Sequence, residues 1–89
     1  MPIFHLIVKG KVQGVFYRAT AKEVADELGL TGWVKNTTEG DVEIVVAGEQ
    51  LAIDRFIAWC YQGPRRAKVT AVTVSEHFET DFISFSIIR

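Results

Sequence analysis

The chain has 89 residues, 48% of them hydrophobic, and its 10 Lys and Arg against 11 Asp and Glu leave a formal net charge of -1. That length suits one domain, residues 1–89, with a real core, and the charge offers no basic excess for nucleic acid. Cys60 is the only cysteine and there are two histidines, which excludes an internal disulfide and matches no structural zinc spacing.

In the opening residues the apolar run is short and its lysine follows it, which is not a secretory pattern. No run approaches membrane-spanning length. A soluble cytoplasmic protein is expected. Phe4, Leu6 and Val8 alternate with His5, Ile7 and Lys9, which predicts a strand ending near Val12. Ala21, Val24, Ala25 and Leu28 then mark one helical face. Thr20 and Glu23 fit a capping box at the start of that helix, or a residue or two inside it, and Gly29 suits its end.

Residues 33–36 read as a short strand and 37–40 as a turn. Val42, Ile44 and Val46 alternate with Glu43, Val45 and Ala47, which completes a hairpin. Gly48 precedes a second helix with Ile53, Phe56, Ile57 and Cys60 on its buried face, ended by Gly63 and Pro64. Residues 69–76 form a β-branched strand whose alternation slips near Ala71, as at a bulge. Ile83, Phe85 and Ile87 mark a last strand whose pairing partner is left open.

The order β-α-β-β-α-β plus one strand predicts an α+β, ferredoxin-like sandwich. Its sheet is antiparallel or mixed, with both helices on one face. In this topology the ends of the first and second strands lie at one pole, where the first helix begins. The turn after the first strand and Asn36 should therefore converge.

That turn is VQGVFYR, residues 12–18. A strand–loop–helix turn gathers unpaired N–H groups, and the helix dipole adds positive potential. Gly14 permits a sharp bend and close approach, and Arg18 adds a fork for phosphate or carboxylate. Together they describe an anion cradle. A plain turn glycine and a solvated helix-start arginine fit the residues equally well. No GxxxxGK[ST] or GxGxxG is present, so neither nucleotide fingerprint applies.

GKVQGVFYR at 10–18 and GWVKNTTEGDVE at 32–43 resemble the two signatures of the acylphosphatase family, G-x-V-Q-G-V-x-F-R and G-W-V-x-N-x-x-x-G-x-V-E. The resemblance extends to GPRRAKV at 63–69 and to the ending FSIIR. Tyr17 stands where phenylalanine is usual, and Phe16 occupies a variable position. The resemblance implies hydrolysis of the carboxyl–phosphate anhydride of small acyl phosphates, with no metal and no cofactor. It implies that Arg18 and the main-chain amides of Gln13, Gly14, Val15, Phe16, Tyr17 and Arg18 bind the phosphoryl group. Asn36 would hold the attacking water, with Thr37 as support. Inorganic phosphate or sulfate would compete for the site.

A general base is missing from both motifs, so the substrate's own phosphate is expected to take the water's proton. Lys9 and Lys11 flank the turn as solvated lysines or as steering charges. His5 and His77 read as surface residues and Cys60 as core. Trp33 and Tyr17 are expected to pack around the cradle. No acyl pocket is legible, so carbamoyl, acetyl, glyceroyl and aspartyl phosphates fit alike. A monomer without nucleic-acid or membrane partners is expected. The alternative is an anion-binding, small-molecule-binding or protein-interaction module on the same fold, without turnover. The strand VEIVVA lacks the aromatics of an RNA-reading sheet.

Overall fold

The chain is described by a computed structural model covering residues 1–78 and 81–89. Its elements run β1 (Ile3–Lys11), α1 (Tyr17–Glu27), β2 (Thr31–Asn36), β3 (Val42–Ala47), α2 (Gln50–Gln62), β4 (Lys68–Glu76) and β5 (Phe85–Ile88). The strands form one mixed sheet of order β4-β1-β3-β2-β5. The pairs β1–β3, β1–β4 and β2–β3 are antiparallel, while β2–β5 is parallel, which supplies the partner of the last strand.

Both helices cover one face of this sheet. Leu6, Val8, Val34, Ile44 and Val46 meet Ala21 and Ala25 of α1 and Ile53, Phe56 and Cys60 of α2, all fully buried. Each large side chain so buried contributes about 1.5–3 kcal/mol of transfer free energy. β3 departs from simple alternation, because Val45 and Ala47 are buried as well as Val42, Ile44 and Val46. It is the central strand, and Val45 lies between His5 and Trp33 on the opposite face of the sheet.

Three expectations need correction. The last strand begins at Phe85, and Ile83, expected within it, lies before it and is fully exposed. α1 begins at Tyr17, with Phe16 as its N-cap residue in the left-handed region (φ 65°) and no side-chain cap. Thr20 lies inside the first turn, where its hydroxyl donates to the Phe16 carbonyl at 2.9 Å. No Thr20–Glu23 box forms, since the helix is started by the preceding loop's backbone. Trp33 does not pack around the cradle either. Strand alternation sends Val34 to the core and Trp33 to the opposite face, where the Lys35 ammonium sits 5.4 Å from its ring centroid.

The slip near Ala71 is a true bulge. Lys9 pairs with Ala71 and Gly10 with Val69, so Thr70 is the extra residue. Gly10 has φ 122°, and a Cβ there would lie 2.1 Å from the Lys68 carbonyl oxygen, so only glycine fits at that crossing. Beyond it β1 ends, and the chain turns over the sheet's end into α1.

Candidate functional site

Five residues, 12–16, connect β1 to α1. Val12 and Val15 are buried in the core and pin the loop at two points. Between and after them, Gly14 (φ 73°) and Phe16 (φ 65°) are left-handed. Left-handed residues alternating with ordinary ones turn successive N–H groups into one concavity. The space around a Cβ at position 14 is open, so the backbone conformation, and not crowding by the protein, calls for glycine. Among the described residues, no hydrogen bond takes up the N–H groups of residues 13–19.

An open cavity of about 320 Å³ lies against this loop, lined by Gly14, Phe16, Arg18, Ala19 and Asn36, with Ile87 and Arg89 at its side. Asn36 ends β2, two residues on from core Val34, so its side chain falls on the helix-covered face. The expected convergence of the loop with Asn36 is therefore present. Arg18 is half-buried, and the other four arginines are exposed. Its guanidinium makes no ion pair among the described residues. No Asp, Glu, His or Cys is among the residues lining the cavity. The result is a positive, donor-rich recess with no acidic side chain in its lining.

Of the remaining sequence-predicted residues, Tyr17 belongs to the lining, whereas Gln13, Val15 and Thr37 do not. Val15 belongs to the core. Tyr17 borders the cavity, but its phenol is buried and donates to the Cys60 carbonyl at 2.7 Å. Burial pushes the Tyr17 phenol far above its usual range, so it stays protonated. Burial likewise pushes the Cys60 thiol up to about 12, which leaves it inert.

Gln13 also acts through its side chain, in addition to the backbone N–H that the motif reading singled out. Its carboxamide donates to the carbonyls of Thr37 (2.9 Å) and Asp41 (2.8 Å). Those carbonyls belong to the turn after Asn36. Within the turn, Thr37 N–H donates to the Asp41 carbonyl at 2.9 Å and Asp41 N–H donates to the Thr37 hydroxyl at 3.1 Å. Lys9 adds an ion pair to Asp41 at 3.0 Å. Thr37 thus holds the turn's shape, and Gln13 ties that turn to the loop.

Ile87 and Arg89 were not singled out as site residues. The FSIIR ending carried the signal, but its use depends on the parallel register that sets Ile87 beside Val34. Elsewhere, His5 bonds Glu43 at 2.7 Å and stacks on His77 at 5.9 Å, away from the recess.

Comparison with known proteins identifies the family. A family model described as Acylphosphatase matches residues 4–87. An acylphosphatase of Methylococcus capsulatus is 48% identical over 86 residues, covering 96% of this chain and 94% of that protein. One from Marinobacter nauticus is 53% identical, covering 82% and 79%. The crystal structure of acylphosphatase from Bacillus subtilis superposes with a TM-score of 0.95 at 37% identity, covering 100% of both chains. A match across nearly the whole chain, with the loop, arginine and asparagine gathered at one recess, places this protein in the acylphosphatase family.

Proposed function

We propose that this acylphosphatase cleaves the carboxyl–phosphate anhydride of small acyl phosphates by positioning and electrostatics alone. The N–H groups of residues 13–18 and the Arg18 guanidinium hold the phosphoryl oxygens. Asn36 holds the water in line with the leaving carboxylate. A carboxylate leaves readily, so strong acid catalysis is not required. What remains is to neutralise charge on the equatorial oxygens and to aim the nucleophile. The Asn36 carboxamide both accepts from and donates to water without changing protonation state.

The attacking water loses a proton as the new P–O bond forms and the anhydride P–O bond breaks. With no titratable acid or base in the lining other than a phenol locked in its protonated form, a phosphoryl oxygen of the substrate receives that proton. The products are carboxylate and inorganic phosphate. The observation that carries this reading is a half-buried Arg18 beside main-chain donors, both without partners among the described residues.

The test is release of inorganic phosphate from acetyl phosphate in the presence of a chelator, with inorganic sulfate as competitor. Chelator-resistant turnover and competitive inhibition by sulfate are expected. Arg18→Ala lowers kcat/KM by roughly 10²-fold or more and weakens sulfate inhibition. Asn36→Ala lowers kcat by about 10²-fold while the sulfate inhibition constant holds. Wild-type turnover in Arg18→Ala would falsify the assignment. A neutral-pH limb in the rate profile that disappears on removing His5 or His77 would overturn proton transfer to the substrate's phosphate.

A further inference from the structure

The phosphoryl half of the substrate is accounted for above, but the acyl half also needs a surface. An anhydride whose phosphoryl group fills the cradle must place its acyl group beyond the loop amides, where the rim is the nearest protein surface. Phe16 stands on that rim, lining the cavity while 75% exposed. It is the one exposed large apolar side chain among the residues lining this cavity. Its ring belongs neither to the core cluster nor to any aromatic pair among the described residues.

Phe16 is also the sole non-glycine residue at positive φ among those described. Glycine or asparagine would take that conformation with less strain. A benzyl group is held there against both backbone strain and exposure to water. Exposed aromatic rings with no structural contact are usable as contact surfaces. Half-buried Ile87 continues the apolar side of the recess, and no carboxylate side chain lines it.

We infer that Phe16 is the acyl-side contact of this enzyme and makes it selective for acyl phosphates with an apolar, planar acyl group over small polar ones. The inference rests on the cradle reading of loop 13–18. A flat acyl group lies against the ring face and buries apolar area there, whereas acetyl or carbamoyl groups are too small to cover it. Because the carbonyl carbon sits next to the bridging oxygen, this contact persists to the transition state and enters kcat/KM.

The experiment measures the ratio of kcat/KM for benzoyl phosphate to that for acetyl phosphate, in wild type, Phe16→Ala and Phe16→Asn. Taking the ratio within each variant cancels any shared effect on the main-chain cradle. Asparagine keeps a left-handed preference, so it removes the ring with the least disturbance of the loop. The expected result is a ratio well above one in wild type, falling on the order of tenfold in both variants. Phe16→Trp, which keeps an aromatic face, restores the ratio to within about twofold. A ratio near one in wild type, or one unchanged in both variants, overturns the inference and leaves the cradle standing. Wild type that hydrolyses neither compound, or turnover that survives Arg18→Ala, overturns both.

Discussion

The fold contains two strand-to-helix crossovers, and only one of them resembles a site. The first takes five residues from β1 to α1, and the second takes two, Gly48 and Glu49, from β3 to α2. Both deliver a helix N-terminus with its first-turn donors. In the second, the N-cap residue Glu49 is extended (φ -67°, ψ 144°) and brings a carboxylate to the positive end of the helix. In the first, the N-cap residue is left-handed Phe16, which carries no charge, and Arg18 follows; neither helix has an acidic residue in its first turn. A helix N-terminus alone is therefore not what distinguishes the recess. The distinguishing features are a loop long enough to fold its amides inward, an added cation, and an uncharged N-cap residue.

The strongest way to break this contrast is to put a carboxylate at the helix start of the first crossover. Ala19 is exposed, sits in the first turn of α1 and lines the recess. Ala19→Glu places a tethered carboxylate against the same donors and beside a doubly charged substrate. At a few ångströms, each like-charge pair near a protein surface is worth several kcal/mol. We expect kcat/KM to fall by roughly 10²-fold or more, with sulfate inhibition weakened in parallel. The helix itself gains about 0.3–1 kcal/mol from the new dipole complement. Lower activity with equal or higher Tm is the signature, and Ala19→Gln, of the same size without charge, should lose much less. Equal losses in both variants would mean that bulk, and not an occupied cradle, is responsible.

The second test addresses the link between the phosphate side and the water side. Gln13 is the only side chain among the described residues that hydrogen-bonds both Thr37 and Asp41 carbonyls, so it holds the turn that follows Asn36. Both acceptors are carbonyl oxygens, so the clamp needs two donors. Gln13→Ala removes them, and we expect kcat to drop about tenfold while the sulfate inhibition constant holds. Gln13→Glu places a carboxylate against two oxygens and should cost more at pH 7. It should regain part of the loss as pH falls toward the carboxyl range near about 4.3, where the protonated acid again offers a donor. A loss of Tm with no separation of kcat from sulfate inhibition would reduce Gln13 to a structural tie.

How much of this was legible in the sequence depends on how local each feature is. The strand parity of Phe4, Leu6 and Val8, the helical faces of Ala21/Ala25 and Ile53/Phe56/Cys60, and the bulge near Ala71 all follow from short-range periodicity. The meeting of loop 13–18 with Asn36 followed from element order, because strand direction alone brings those ends together. Three features did not. Trp33 and Val34 are both apolar, so composition alone does not choose which one enters the core. The capping pattern of Thr20 and Glu23 counts side-chain acceptors, whereas this helix begins from a left-handed main chain at Phe16. The parallel pairing that sets Ile87 beside Val34 spans more than fifty residues of chain and has no local signature.

The smallest expected effect comes from the reverse exchange at the second crossover. Glu49→Gln removes the carboxylate from the start of α2, which lies at the opposite pole from the recess because β3 runs antiparallel to β1. The change leaves that N-terminus without an anion, as at α1, but adds neither a left-handed loop nor an arginine. We expect a stability loss of only about 0.3–1 kcal/mol, larger at low salt, read by thermal unfolding. Turnover and sulfate inhibition should match wild type. Titrating the variant with sulfate by calorimetry should show one binding event, at the recess, removed by Arg18→Ala. A second event of comparable affinity in Glu49→Gln would mean that deleting an acid is enough to make a helix start bind anions. The looped amides and guanidinium of the first crossover would then no longer explain why the site lies where it does.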